Sequence, residues 1–201
     1  MRSHDMLLPV VILETDRLTL RAFTEADIDP LHQAATDPLT QRWIPLPRPG
    51  VAYTRADAEE WCTTGAPSAR VSGDGQQWAA IESDTGLFVG SFGLNRTLWT
   101  SRITEIGYWV APWARGNGYA PEAVVAITRW VIVEQRFERV ELKAATANTG
   151  SRRVAAKAGF TYEGIERNAM RLHAGRSDLA VYSVIPADLD PPRHQRDLPI
   201  P

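Results

Sequence analysis

Apolar and polar positions divide the chain into short alternating runs and longer helical ones. Residues 15–21 (TDRLTLR) alternate with period two and predict a first strand with Leu18 and Leu20 facing the core. A helix follows, capped by Thr24, with Glu25 and Asp27 in its first turn and Pro30 kinking or restarting it before Leu31; His32 is expected at the surface. Pro38, Pro45, Pro47 and Pro49 make residues 37–49 an expected irregular loop, anchored by Trp43 and Ile44. A second helix starts at the cap Thr54 and ends near Gly65. Residues 77–82 and 87–94 flank the turn Asp84-Thr85-Gly86 and predict an antiparallel hairpin, and 104–110 add a strand that Pro112 stops. Residues 119–135 are apolar nearly all round, which predicts a helix buried against a sheet, with Glu122, Arg129 and Arg136 as a water-facing stripe. A strand at 139–145, a helix at 149–158 stopped by Gly159, and a strand from Phe160 read as a βαβ arrangement. Residues 177–185 supply the last strand, and the chain from Pro186 onward is expected to be extended or disordered.

The junction between the strand at 104–110 and the long helix carries the clearest chemistry. There Arg115-Gly116-Asn117-Gly118-Tyr119-Ala120 sets two glycines just before a helix start, where the first backbone N–H groups have no intrahelical partner. Glycine admits close approach and unusual φ values, and the helix dipole adds about half a positive charge at that end. A pyrophosphate fits such a cradle. A Walker A loop is excluded, because the required lysine and hydroxyl residue are missing. The dinucleotide fingerprint fails as well: it needs glycine or alanine at position 121, which is Pro121.

Composition narrows the class. The chain has 201 residues, enough for one domain with a sizeable core, and its 44% hydrophobic and 23% charged content is that of a globular protein. A formal net charge of −2 gives no basic excess for nucleic acid. No apolar run reaches the ~20 residues of a membrane span, and the first residues lack a signal-peptide core, so a cytoplasmic protein is expected. Cys62, the one cysteine, excludes an internal disulfide and reads as packing rather than a nucleophile. The four histidines are scattered without metal spacing, and no metal is expected.

Arg-x-x-Gly-x-Ala from Arg115 to Ala120 resembles the acyl-CoA pyrophosphate loop of the GNAT acyltransferase superfamily. Around it, Glu14-Thr-Asp-Arg-Leu-Thr-Leu-Arg21, Asn148-x-x-Ser151, Lys157-x-Gly159-Phe160, Glu163-Gly164 and Arg167 are together similar to the Rim-type branch, named for ribosomal-protein N-terminal acetyltransferases. The resemblance covers about residues 14–188, leaving a lead at 1–13 and a proline-rich tail at 189–201. It implies a single α/β (α+β) domain: a mixed, mostly antiparallel sheet splayed at the acyl-CoA cleft, with helices on both faces. It implies direct transfer of an acetyl group from acetyl-CoA to a primary amine, and it allows a homodimer.

The same resemblance implies roles for individual residues. Gly116, Asn117, Gly118, Tyr119 and Ala120, with Arg115, would hold the pyrophosphate; Trp109 and Val110 would bind pantetheine through their backbones; Asn148 would hold the pantetheine arm. Glu105 would take the amine proton, and Ser151 would serve the leaving sulfur. Two positions depart from the family. Many members carry a tyrosine where this chain has Ala155, and some Rim-type enzymes carry a glutamate where it has Lys143. Protein N-terminal amines, small amines, amino acids and amino sugars all remain acceptors at this point, as do other acyl donors such as succinyl-CoA. A binding protein that senses acyl-CoA without turning it over is the alternative of another class.

Overall fold

The computed structural model describes residues 6–189. The proline-rich tail from residue 190 onward lies outside the described residues. Eight strands form one sheet: β1 (Leu13–Glu14), β2 (Leu18–Arg21), β3 (Gln76–Glu82), β4 (Phe88–Leu98), β5 (Ile103–Val110), β6 (Arg139–Ala145), β7 (Thr161–Leu172) and β8 (Gly175–Val184). Their spatial order is β1-β2-β3-β4-β5-β6-β8-β7. Every neighbouring pair is antiparallel except β5 and β6. The expected βαβ unit is present with β8 inserted between its two strands, so β6 and β7 are not hydrogen-bonded neighbours.

The first strand is shorter than the alternation predicts. Thr15 folds residues 15–17 into a turn: its N–H donates to Leu18 O (2.9 Å), and its Oγ1 accepts from the Leu18 N–H (2.9 Å). Leu18 and Leu20 are fully buried, as the pattern requires. Residues 8–11 of the lead are part of the same body. Leu8 is buried, its carbonyl accepts from Arg70 Nε, and the Val11 carbonyl accepts from Trp78 Nε1 (3.1 Å).

The helices are α1 (Ile28–Ala35), α2 (Pro38–Trp43), α3 (Arg55–Glu60), α4 (Ala66–Val71), α5 (Tyr119–Val133), α6 (Thr149–Lys157) and α7 (Pro186–Leu189). Three differ from the sequence reading. Residues 38–43 are helical because Asp37 caps the Thr40 N–H (2.9 Å) and Pro38 occupies the first turn, where a missing N–H costs nothing. The helix that Thr54 caps does not stop at Gly65; a π turn at Trp61–Gly65 carries it into α4, where Pro67 again sits in a first turn. Residues 186–189 form a short helical turn rather than extended chain. His32 is half-buried and stacks on Tyr53. Cys62 is buried in the core, and burial pushes its thiol up to about 12, which suits packing rather than nucleophilic chemistry.

α5 and α6 cover one face of the sheet. Trp78, Phe92 and Tyr108 are opposite one another in register and share that face, where Trp78 meets Trp130 of α5 edge to face at 5.6 Å. On the other face α2 sends Trp43 against Ala145, Leu172 and Leu179. We expect Trp78→Ala to lower the free energy of unfolding by about 3–5 kcal/mol, because it leaves a cavity in the middle of the sheet. Urea unfolding followed by fluorescence measures this, and a loss under about 1 kcal/mol would contradict the packing described.

Candidate active site

The parallel ladder between β5 and β6 is three pairs long: Ile103↔Arg139, Thr104↔Val140 and Glu105↔Glu141. Beyond Glu105 the strands part, although β5 stays paired with β4 up to Val110 and β6 stays paired with β8 up to Ala145. The result is a wedge closed at Glu105 and open toward α5 and α6. The Ala111 N–H donates to Val89 O (2.8 Å) beside the Gly90↔Val110 pair. That register turns the main-chain groups of Tyr108 and Val110 into the wedge and spends those of Trp109 on β4. Of the two residues expected to bind pantetheine through their backbones, only Val110 therefore faces the gap, and Tyr108 joins it.

At the open end stands the glycine loop. Gly116 (φ +83°) and Gly118 (φ +82°) are both left-handed, and Gly118 is the cap of α5. Among the described residues, no N–H from 116 to 120 has a protein acceptor. A Cβ on Gly116 would meet nothing within 4 Å, so the cradle is open to a ligand. These donors, the helix start and the unpaired edges of β5 and β6 fit an acyl-CoA: pyrophosphate at the loop, pantetheine between the strands.

The loop's side chains do a different job from its amides. Arg115 faces inward, donating from Nη2 to Asp37 Oδ2 (2.6 Å) and Thr40 Oγ1 (2.8 Å) and from Nε to the Val110 carbonyl (3.2 Å). It ties the cap of α2 to the end of β5. The Tyr119 hydroxyl donates to Glu82, and its ring lies under the Arg17 guanidinium at 4.8 Å. Arg17 also donates to the Asn117 carbonyl (2.9 Å) and, through Nε, to Glu122 (2.8 Å). Glu122 accepts from Thr15 Oγ1 (2.6 Å) as well. Burial alone would raise its pKa, but these bonds outweigh it and lower it. Glu122 thus braces the loop instead of facing water, whereas Arg129 and Arg136 are exposed as expected.

Glu105 and Ser151 approach the wedge from opposite faces. Glu105 shares its face with Glu141 and Lys143. Lys143 Nζ lies 2.8 Å from Glu166, 3.4 Å from Glu141 and 4.0 Å from Glu105. The lysine cation is therefore held mainly by the other two carboxylates. Burial raises the Glu105 pKa and prevails over Arg96 (3.3 Å) and Lys143, which lower it. On the far face Asn148 caps α6, its Oδ1 accepting from the Ser151 N–H (3.1 Å), and Ser151 Oγ pairs with the Tyr108 hydroxyl at 3.0 Å. Ala155 is fully buried in α6.

The acetyltransferase (GNAT) domain profile matches residues 17–161. The chain belongs to the GNAT acetyltransferase family. It is 28% identical over 174 residues to the uncharacterized N-acetyltransferase YoaA of Bacillus subtilis, covering 87% of this chain and 96% of that one. It is 25% identical over 171 residues to the ribosomal-protein-serine acetyltransferase of Escherichia coli, covering 85% and 94%. Among solved structures, RimJ of Mycobacterium smegmatis in complex with CoA-disulfide superposes with a TM-score of 0.79 at 22% identity, covering 90% of this chain and 89% of that one. This GNAT enzyme therefore has the splayed mixed sheet that its motifs imply, with helices on both faces. Among the described residues no helix is long and apolar enough to cross a membrane.

Sequence reasoning missed Tyr108 and the Arg17–Glu122 brace. Tyr108 was visible as a polar-tipped aromatic on the strand face shared with Ile106, but its partner lies 43 positions away. We expect Gly116→Ala to weaken CoA binding about five- to thirtyfold, since a left-handed φ costs a Cβ-bearing residue about 1–2 kcal/mol and relaxing it re-aims the amides. Calorimetric titration with CoA tests this; unchanged affinity would remove the loop from the binding site.

Proposed function

We propose that this GNAT enzyme transfers the acetyl group of acetyl-CoA to the α-amine of a protein or peptide N-terminus, with Glu105 as base and Ser151 serving the leaving sulfur. The observation that carries this reading is the three-pair ladder, which leaves Glu105 at the closed end of the wedge with its pKa raised by burial. An amine attacks a thioester only when neutral. Neutralising an α-amine of pKa ~8 at pH 7 costs about 1 kcal/mol, against 4–5 for a lysine at ~10.4. A single carboxylate of raised pKa is matched to the easier task.

The amine nitrogen bonds to the thioester carbon while its proton passes to Glu105. The C–S bond breaks, its electron pair goes to sulfur, and the Ser151 hydroxyl donates a hydrogen bond there. Val110 and Tyr108 offer main-chain groups to the acyl-CoA in the gap. The acceptor's side is supported by a cavity of about 630 Å³ flanking α2, lined by Thr36, Pro38, Gln41, Arg42, Tyr53 and His173 among others. Its size suits the first residues of a chain end. The name of the Escherichia coli relative, a ribosomal-protein-serine acetyltransferase, agrees with such an acceptor.

The test is release of CoA thiol from acetyl-CoA with a pool of N-terminal peptides and, separately, a pool of small amines and amino sugars. Faster turnover with peptides is expected; turnover confined to the small amines would overturn the acceptor assignment. Glu105→Gln should slow transfer about 10²–10⁴-fold while CoA affinity stays the same. Because Glu105 must be ionised to act and its pKa is raised, the acidic limb of kcat/KM should lie above the ordinary carboxylate value of about 4.3. Activity is lost as pH falls through that limb, and Glu105→Gln should remove the limb. A mutant with the wild-type profile would show that the base is elsewhere.

A further inference from the structure

We infer that Tyr108 is a positioning residue for transfer: it donates its hydroxyl proton to Ser151 Oγ and so leaves the single Ser151 proton free to point at the departing sulfur. The inference rests on the reading of Ser151 given above and adds a residue from the other side of the wedge. A serine hydroxyl has one proton and two acceptor sites, so the direction of one hydrogen bond decides where its proton goes. Tyr108 and Ser151 are 3.0 Å apart, and among the described residues neither hydroxyl has another side-chain or backbone partner. A serine that donated to the tyrosine would have nothing left for the sulfur.

Three features hold the tyrosine in the donor role. Its ring stacks on Phe92 at 5.5 Å with an interplanar angle of 10°, which fixes where the hydroxyl stands. Burial pushes the phenol up to about 12, so the hydroxyl keeps its proton around neutral pH. Ser151 is itself held, because its N–H is bonded to the cap Asn148, which anchors the first turn of α6 against the wedge. Within α6 itself position 155 is a fully buried alanine, so the hydroxyl that meets the first turn of α6 comes from β5.

The test is a double-mutant cycle with Tyr108→Phe and Ser151→Ala, read as kcat and as KM for acetyl-CoA with the best amine found, alongside thermal unfolding. Tyr108→Phe keeps the ring on Phe92 and should lower kcat about tenfold, the worth of one hydrogen bond made in the transition state, with KM for acetyl-CoA and the unfolding midpoint unchanged. In the Ser151→Ala background the same change should cost less than about threefold, because its effect runs through that serine. An equal loss in both backgrounds, or a loss below about threefold in the wild type, would overturn the inference while leaving Ser151 in its role. Undiminished kcat in Ser151→Ala would overturn the role of Ser151 itself, and the inference with it.

Discussion

The structure depends on one interrupted interaction, the parallel ladder between β5 and β6. Each strand is fully engaged on its far side, β5 with β4 and β6 with β8, so the interruption leaves the two halves of the sheet intact and opens a gap between them. Sheets tolerate such a gap only where its main-chain donors and acceptors find other partners. In this chain the Val110 carbonyl finds Arg115, and the remaining groups at the wedge are available to a ligand that runs along the strands. The apolar body of α5, with Val124, Ile127 and Val131 fully buried, holds the halves together beneath the gap.

That geometry separates the two halves of the chemistry. Residues of β5 alternate between faces, so Glu105 stands on the side of Glu141 and Lys143 while Tyr108 stands on the side of α6. In the proposed reaction a proton leaves the acceptor on one face and charge on the donor is met on the other, so the substrates need to meet only through the wedge. Arg115 bridges the two sides in another way, joining the glycine loop to the cap of α2 beside the cavity that flanks that helix. The positive charge of Lys143 is absorbed by Glu141 and Glu166, and Glu105 keeps a pKa raised by burial.

The periodic elements were legible from residues alone, and for local reasons. Glycines at 116 and 118 mark left-handed positions that no other residue type adopts as cheaply, and their place before an apolar helix announced a cradle of free amides. Alternation located β3 to β6 within a residue or two at most ends, and Thr54 was recognised as a cap. The irregular loop expected from the prolines of residues 37–49 is helical over 38–43, because Pro38 sits in a first turn that favours proline. The turn at 15–17 was hidden because a threonine that closes a turn and one that sits in a strand look alike in an alternating run.

By itself, then, the sequence determined which elements form, where the glycine loop before the long helix lies and to which family the chain is similar, because all of these follow from local spacing and composition. Only the tertiary structure decided that β5 parts from β6 after Glu105, that Trp109 spends its backbone on β4, that Arg115 and Glu122 brace the loop, and that Tyr108 meets Ser151. Those outcomes depend on strand register and on contacts between residues 43 to 107 positions apart, and no local pattern encodes them.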